Sequence, residues 1–532
     1  MRKLFYIIFL LSSSILNAQY TPIPDSNFEQ YLIDRGLDPD NTINGRVLTS
    51  AIDTVKILDL NSTYAPSISD LSGIEDFIAL ERLDISGQLI DTLHLNGNLR
   101  LKALNAFACL LMDLDISRND SLKYLNLFYA GSSQMSSRIL LDISHLHQLD
   151  TLITGSNLYD IKDLSHNTRL RFLVYSNTNF NDMAGFYNQL DTLDLSANTQ
   201  LEHLELNFVP IGHLVLPPAP NLTWLELADQ NFTSINLASY PHLQYLSMLH
   251  NTRLTSIDVS NNSELRYLNV NKCRLTGIDV SHNPMLEDLI LGRWWSWGSI
   301  PHDEENNQFS APPDLSSNPR LRRLFVEGIG IDTLDISANP NLQVLYANYN
   351  NLTHLDLSAN TSLRTLFVRG NPLDSLDLRA QTQLNSLRCD STTLSFLDLR
   401  NGNNQNMIEF SALGNPYLEC IFVDDANWSR TNWHNIDSSV HFVETEDECL
   451  QVNVSELPKN WMFYPNPVHS TLYMVFPQQV DVIRTEIYNI TGQQVSIQKG
   501  MEISFENHRP GIYFVHITTD NKLYIIKVIK EE

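Results

Sequence analysis

The sequence predicts a mainly β fold: a solenoid of about sixteen short coils, each with one parallel strand, followed by a small C-terminal β-sandwich. Three observations support this prediction. A pattern of apolar residues repeats every 21 residues through most of the chain. Hydrophobic residues make up 43% of the 532 residues, enough for a large core. After residue 456 the period stops, and alternating strand patterns separated by turn signals follow.

The charge of the chain excludes one broad class of partner. Lys and Arg number 35 against 61 Asp and Glu, so the net charge is −26. A protein that neutralises phosphates needs a basic face, and we therefore expect no nucleic-acid partner. Charged residues make up only 18% of the chain, which is too few for a disordered protein.

Residues 1–19 read as a secretory signal peptide rather than as part of the fold. Arg2 and Lys3 precede an apolar run from Leu4 to Leu16, and Ala18 offers a small residue for cleavage. The run is too short to cross a membrane, and no later apolar stretch is long enough to do so either. We expect export, with no transmembrane span in the mature chain.

Aspartates mark the repeat most clearly. Five of the six intervals between them are 21 residues, and the interval from 279 to 314 is 35, in the series Asp258, Asp279, Asp314, Asp335, Asp356, Asp377 and Asp398. A full unit reads L-x-x-L-x-L-x-x-N-x-L-x-x-L-D-L-S-x-N-x-x, as in residues 342–362. The predicted boundaries are a cap with a degenerate first repeat at 20–79, repeats at 80–417, a cap and linker at 418–456, and a separate domain at 457–532.

This unit resembles the short bacterial class of leucine-rich repeats. The resemblance implies a horseshoe in which the first L-x-L of each unit forms a strand of one parallel sheet, because a single unit cannot bury its leucines alone. With only 21 residues per unit there is no room for a long convex helix. We expect little α-helix outside residues 26–36.

Two polar columns accompany the leucines. Asn at the nineteenth position of the unit is expected to bond inward to turn backbone groups. The Asp column has two interpretations. Each carboxylate could accept backbone N–H groups of its own turn, or the column could form a row of calcium sites, since oxygen-only ligands suit that ion. The unit lacks a second acidic position, which favours the first interpretation and predicts no metal site.

The two ends of the repeat read as caps. The C-terminal one, with Asp424, Asp425 and Trp433, resembles the terminal unit of secreted leucine-rich-repeat proteins of the Bacteroidetes. Cys420 and Cys449 lie together there, and we expect them to form a disulfide after export. The other cysteines, Cys109, Cys273 and Cys389, occupy inward repeat positions and are expected to be buried thiols.

The last domain carries a specific combination of motifs. It contains a YPNP segment, a GIY segment that opens a strand, and two lysines close to the C-terminal residue, namely Tyr464, Pro465, Asn466, Pro467, Gly511, Ile512, Tyr513, Lys527 and Lys530. These motifs resemble the C-terminal sorting domain of type IX secretion cargo. The resemblance implies an interaction with the type IX machinery, passage across the outer membrane and cleavage of the domain. The protein would then be secreted or anchored to the outer-membrane surface.

No catalytic constellation is found, so we expect a non-enzymatic protein without a cofactor. His145 and His147 form an H-x-H in an irregular unit, which favours a chance pair over a metal site. Function is therefore expected on the concave face, as recognition of a protein or a glycan in the manner of an adhesin. The alternatives are a passive surface-coat protein and, less favoured, an enzyme with an unrecognised site.

The candidate ligand-binding residues are aromatic. Those at the third and fifth positions of the units should point outward onto the concave face, where exposed aromatic residues are typical interface anchors. Strand propensity alone is the competing explanation. Two further candidates lie in the 14-residue insertion before Asp314. The full set is Tyr124, Phe172, Trp224, Tyr245, Tyr267, Trp295, Trp297, Phe325, Tyr346 and Phe367.

Overall fold

A computed structural model describes the chain in two compact units, Met1–Gly330 and Ile331–Glu532. The residues that it describes are 19–63, 67–130, 139–155, 159–161, 163–176, 190–209, 211–230, 232–293, 306–453, 457–458, 460–476, 482–519 and 522–531. No helix among them is long and apolar enough to cross a membrane.

The first unit is built on a ladder of short parallel strands, one for each coil. The central leucine of each strand stands in register with that of the next, as Leu225 does with Leu246 and Leu246 with Leu268, and all three are fully buried. Among the described residues the strands of this ladder are Ile57–Asp59, Arg82–Asp84, Ala103–Asn105, Tyr124–Asn126, Thr151–Thr154, Phe172–Tyr175, His203–Glu205, Trp224–Glu226, Tyr245–Ser247, Tyr267–Asn269, Asp288–Ile290 and Arg323–Phe325.

The second half of several coils in the first unit also forms short strands. Each of these strands pairs in parallel with the equivalent strand of a neighbouring coil, as expected for an extended L-D-L-S segment. The pairs are Thr92–His94 with Asp113–Asp115, Ile139–Leu140 with Tyr159–Asp160, and Leu190–Asp194 with Ile211–Val215.

The second unit contains the same two kinds of strand. Its ladder strands are Val344–Tyr346, Thr365–Phe367, Ser386–Arg388 and Glu409–Ser411. A second parallel sheet consists of Ser375–Asp377, Phe396–Asp398, Cys420–Phe422 and His441–Val443. Together the two units place sixteen ladder strands in the described part of the chain, as the repeat predicted. The predicted β solenoid is thereby confirmed.

Inward asparagines join successive coils. Asn119 is fully buried, and its Nδ2 donates to the carbonyl oxygens of Leu95 at 3.1 Å and Asn98 at 2.9 Å, both in the preceding coil. The same pair of bonds recurs at Asn98, Asn167, Asn198, Asn262, Asn283, Asn318 and Asn360. Carbonyl groups that would be buried without a partner are thus satisfied.

The Asp column caps its own turns. At Asp258 the Oδ1 atom accepts the backbone N–H of Ser260 at 2.9 Å, and this bond recurs from Asp115 to Asp356. The hydroxyl and backbone N–H of Ser260 lower the pKa of this carboxyl below its usual value, because they stabilise its charged form. No group of three or more His, Cys, Asp or Glu side chains in the described residues is arranged to hold a metal ion. The hydrogen bonds from the Asp carboxylates to the N–H groups two residues later explain the column by turn geometry.

The N-terminal cap is held by its helix. A short antiparallel pair, Tyr20–Pro22 with Arg46–Leu48, flanks helices Ser26–Asp34 and Thr49–Ile52. Asp25 is the N-cap of the first helix, and its other carboxylate oxygen accepts the N–H groups of Ser69 and Asp70. One side chain therefore starts the helix and ties it to the following coil.

The C-terminal cap contains two helices, Ala426–Asn432 and Glu446–Asn453, which the repeat pattern did not predict. These and Thr49–Ile52 are short, so the described residues contain little α-helix outside residues 26–36, as expected. The last coils of the solenoid have no further coil to cover them, and the helices supply that cover instead. The Sγ atoms of Cys420 and Cys449 are 1.99 Å apart, at bonding distance. Arg400 contacts both the fully buried Asp398 and Glu446 of the second helix. The other three cysteines are buried free thiols.

The last domain consists of two antiparallel sheets. One contains Met462–Tyr464, Thr471–Val475 and Glu502–Ser504, and the other contains Gln494–Gln498, Val482–Asn489, Gly511–Thr519 and Leu523–Lys530. Buried residues of both sheets, among them Leu472, Ile503, Val515 and Val528, form a single core. This arrangement confirms the predicted small β domain.

Candidate binding surface

Five rings on successive ladder strands of the first unit form one continuous stack, which we call the stacked row: Phe172, His203, Trp224, Tyr245 and Tyr267. The ring centroids of Phe172 and His203 are 3.9 Å apart, and those of His203 and Trp224 are 5.1 Å apart. Trp224 and Tyr245 lie 3.4 Å apart with planes 4° apart, and Tyr245 and Tyr267 lie 4.2 Å apart with planes 5° apart.

The stack follows from the strand register. Phe172, His203, Trp224, Tyr245 and Tyr267 occupy the same position on adjacent strands. Neighbouring strands are about 4.8 Å apart, so large flat side chains at equivalent positions must lie face to face. Each inner ring therefore has both faces covered by its neighbours. The rings are all half-buried, and because the inner rings are stacked face to face, their edges are the part left open to a partner.

Two carboxyl groups lie beside the row. Glu205 and Glu226 stand two residues after His203 and Trp224 on the same strands, and alternate residues of a strand face the same side. Burial, reinforced by the charge of Glu205, raises the pKa of Glu226 to about 7. A proton on this carboxyl group is therefore gained or lost near neutral pH.

The pKa of Glu205 is shifted in the opposite direction, which favours the charged form of this carboxyl group. Burial acts to raise the pKa of this carboxyl, but the His203 imidazole and hydrogen bonds from Ser176 and Asn207 lower it below its usual value. Ser176 Oγ donates to Glu205 Oε1 at 2.9 Å, and Asn207 Nδ2 donates to the same atom at 3.0 Å. Ser176 and Asn207 were missed by the sequence reasoning, although both occupy the seventh position of their units.

The row ends on each side at a residue of a different kind. Tyr124 is separated from Phe172 by the strand that carries Thr151, so this predicted aromatic residue is not part of the stack. On the other side Asp288 follows Tyr267 in the register and is bound by both Nε and Nη2 of Arg323. The predicted stripe of aromatic residues is thus interrupted at both ends.

The aromatic candidates at the fifth position are less exposed than expected. Phe325 is only 8% exposed and Phe367 only 9%, so the expectation that both lie exposed is wrong. Phe367 is covered by the Tyr346 ring at 4.6 Å and by the Arg388 guanidinium at 5.1 Å. Phe325 stands in register with Ile290, which is itself buried. Tyr346 remains half-buried.

Trp295 and Trp297, predicted to contact ligand from the insertion before Asp314, lie outside the described residues. Their role stays a prediction.

In the last domain, the YPNP segment is fastened to the final strand. Asn466 Oδ1 accepts the N–H of Ile529 at 2.9 Å, and its Nδ2 donates to the carbonyl of Lys527 at 2.9 Å. Tyr513 is buried, and its hydroxyl donates to the carbonyl of Arg509 at 2.8 Å. Lys530 is buried as well, while Tyr464, Gly511, Ile512 and Lys527 are exposed. The motif residues therefore include both packing residues and residues accessible to a partner.

Known proteins resemble this chain in both its C-terminal domain and its solenoid. Residues 462–531 match the family model described as the secretion system C-terminal sorting domain. The chain is similar in structure to the functional domain of InlJ from Listeria monocytogenes, which includes a cysteine ladder. The identity is 20% and the TM-score is 0.55, over 97% of this chain and 99% of that one.

A second similar structure is a leucine-rich-repeat protein from Leptospira interrogans. Its identity to this chain is 17% and its TM-score is 0.48, over 76% of this chain and 95% of that one. No curated protein sequence matches the chain. At these identities the similarity shows the fold alone, and the leucine-rich-repeat solenoid is typically a non-enzymatic binding scaffold. The chain is thus a leucine-rich-repeat solenoid that carries a type IX secretion sorting domain, and it is exported for release or for anchoring at the outer-membrane surface.

Proposed function

We propose that the protein is an exported, non-enzymatic binding protein whose solenoid recognises a polypeptide partner through the stacked row. The observation that carries this proposal is the face-to-face stack of five rings over five neighbouring strands. The stack forms a rigid ridge whose shape is fixed before a partner arrives. Half-buried aromatic residues of this kind lose little conformational entropy on binding and are typical anchors of protein interfaces.

Ring geometry favours a polypeptide over a glycan on this surface. A sugar ring binds an aromatic side chain by lying on its face, but Trp224 and Tyr245 cover one another at 3.4 Å. What the row presents instead is apolar edges, the hydroxyl groups of Tyr245 and Tyr267, and the carboxyl groups of Glu205 and Glu226. This mixture of apolar contact and dispersed hydrogen-bonding groups suits a protein surface.

Two alternatives make different predictions. A passive coat protein has no saturable ligand, and its stacked row would serve only to stabilise the solenoid. An enzyme would convert a substrate. Turnover of any bound compound would favour the enzyme.

The test is to probe arrays of proteins and glycans with the purified chain. We expect a saturable protein ligand. Its affinity should fall roughly tenfold or more in the double variant Tyr245→Phe with Tyr267→Phe, which keeps the rings and removes the hydroxyl groups. Tyr417→Phe, at an exposed tyrosine of the second unit outside the candidate set, is the matched control and should leave affinity unchanged. Binding of glycans only, or unchanged affinity in the double variant, contradicts the proposal, and no saturable ligand at all favours the coat protein.

A further inference from the structure

A second surface with different chemistry lies in the second unit. A groove of about 850 Å³ is lined by the last ladder strand of that unit, Glu409–Ser411, and by residues of the helix Ala426–Asn432. Arg369, Arg388 and Asp390 from preceding coils line it as well. A volume of this size is typical of a site for a small ligand rather than of a protein interface.

The aromatic side chains of the groove are arranged differently from the stacked row. Trp433 is buried and stacks on Phe410, with ring centroids 4.2 Å apart. Trp428 meets Trp433 edge to face, at 5.8 Å and 85°. Among the described residues no ring is stacked on Trp428, which is half-buried and lines the groove. This indole is therefore the aromatic side chain best placed to receive a flat apolar ligand on its face.

The charged side chains of the groove differ in whether they already have a partner. Arg388 is paired with Glu409. Asp390 accepts the hydroxyl of Ser411 and the N–H of Leu413. In the part of the chain that the structure describes, Arg369 has no carboxylate within ion-pair distance and its buried Nε has no hydrogen-bond acceptor.

The position of Arg369 is fixed in advance. Its backbone N–H donates to Asn348 Oδ1 at 2.9 Å, and its guanidinium lies 5.6 Å from the centroid of the Tyr349 ring. A half-buried guanidinium without a carboxylate partner can pair with the carboxylate of a ligand through two parallel charge-assisted hydrogen bonds.

We propose that this groove binds an acidic sugar, with a pyranose ring on Trp428 and its carboxylate at Arg369. The exposed side chains of Asn432, His434 and Asn435 supply the planar polar groups that hydrogen-bond to sugar hydroxyls. The site lies on other residues than the stacked row, and the inference does not rest on the proposed polypeptide partner.

An acidic peptide is the competing occupant. Ile408 at the groove is 82% exposed and Leu413 is 42% exposed, and apolar peptide side chains would cover them. The groove is, however, lined mainly by polar side chains around one open indole. That arrangement favours a ring with hydroxyl groups over an apolar side chain.

The test is titration calorimetry of the purified full chain, disulfide intact, with tri-galacturonic acid, with its neutral counterpart galactotriose and with tri-glutamate peptide. We expect tri-galacturonic acid to bind, and both other compounds to bind at least about tenfold more weakly. Arg369→Gln and Trp428→Ala should each weaken binding roughly tenfold. Arg430→Gln is the control. It removes the same charge as Arg369→Gln, lies on the same helix as Trp428 but outside the groove, and should change affinity less than about twofold.

Thermal unfolding of each variant distinguishes a loss of binding at an intact groove from unfolding of the C-terminal cap. If Trp428→Ala fails to fold, the affinity of Arg369→Gln alone tests the proposal. The proposal is overturned if tri-galacturonic acid fails to bind at millimolar concentration, if galactotriose binds equally well, or if Arg369→Gln binds like the unchanged chain. Equal or tighter binding of tri-glutamate, lost in the same variants, would overturn it too and assign the groove to acidic polypeptides.

Discussion

The stacked row of the first unit and the groove of the second unit use the same types of residue in opposite ways. In the row, Trp224 is enclosed between His203 and Tyr245, and its faces are occupied. In the groove, the one ring contact that Trp428 makes within the described residues is an edge contact with Trp433. The difference comes from where the rings stand. Rings at equivalent positions on adjacent strands have to stack, whereas Trp428 projects from a helix that covers the last coils.

The same contrast holds for charge. Beside the row, Glu205 accepts hydrogen bonds from Ser176 and Asn207, and burial raises the pKa of Glu226 to about 7. In the groove, the guanidinium of Arg369 has no carboxylate partner among the described residues. An aromatic residue on a solenoid is thus an anchor of fixed shape when it is stacked, and an open platform when it is not. Exposure alone does not distinguish the two cases.

The largest expected effect concerns neither surface. Deleting residues 457–532 removes the sorting domain, and we expect the truncated chain to remain in the periplasm with both surfaces intact. Cell fractionation measures the location, and binding by the purified solenoid measures the surfaces. Normal amounts of truncated protein outside the cell would show that export does not depend on this domain.

Next in size is the loss of the Cys420–Cys449 disulfide, which should affect the cap of the second unit and leave the stacked row of the first unit unchanged. The bond closes a loop with a sequence separation of 29 residues. Replacing both cysteines by serine should lower the free energy of unfolding of the cap by about 3 kcal/mol. Urea denaturation followed by tryptophan fluorescence measures this loss. Peptide mapping of the exported protein without reduction checks the bond, and a free thiol on Cys420 would contradict its assignment.

Trp224→Ala should break the row at its centre. The substitution removes two ring contacts and leaves a gap between half-buried neighbours, so we expect a loss of about 2 kcal/mol in the free energy of unfolding. Trp428→Ala should cost less than half as much, because Trp428 makes one ring contact in the part of the chain that the structure describes. Urea denaturation of both variants gives the comparison. Equal losses would mean that stacking contributes nothing to the free energy of unfolding.

The last effect, comparable in size to the loss at Trp224, is a dependence of stability on pH that originates at Glu226. The folded chain keeps a proton on this carboxyl up to a pKa of about 7, whereas the ordinary value is 4.5. The folded state therefore binds more protons between these values, and stability should fall as the pH rises from about 4.5 to about 7 and then level off. After allowance for residual exposure, the loss should be about 2 kcal/mol.

Glu226→Gln should remove this slope, and denaturation midpoints at pH 5 and pH 8 measure it. Hydrogen bonds and the His203 imidazole hold the pKa of Glu205, on the adjacent strand, below its usual value, so Glu205 keeps its charge across this window. Ser247 on the other side carries no charge. Glu205→Gln is the control, since removing its charge should reduce the slope without abolishing it. An unchanged slope in Glu226→Gln would place the titrating group elsewhere.

Much of this architecture could be predicted from the sequence because it is periodic. The leucines, the inward asparagines such as Asn119 and the turn aspartates such as Asp258 repeat at fixed spacing, and each does the same work in every coil. The cap helix Ala426–Asn432 could not be predicted in this way, because it occurs once. Its N-cap, Asp425, was noted only as part of a resemblance.

The candidate site was predicted less completely. The positions of Trp224 and Tyr245 follow from the repeat, but the orientation of their rings depends on which side chains occupy the neighbouring coils. Phe325 and Phe367 occupy positions that also face outward and are nevertheless buried by what surrounds them. Arg369 carried no signal in the sequence at all, since its lack of a partner is a property of the folded surface.

The most direct test of the central claim, that the stacked row is the surface that binds a polypeptide, is amide hydrogen exchange of the chain with and without its protein ligand. The account predicts slower exchange on binding in the strands from Phe172–Tyr175 to Tyr267–Asn269, with the second unit unchanged. Protection confined to other coils or to the sorting domain, with no change at Trp224–Glu226 and Tyr245–Ser247, would contradict it.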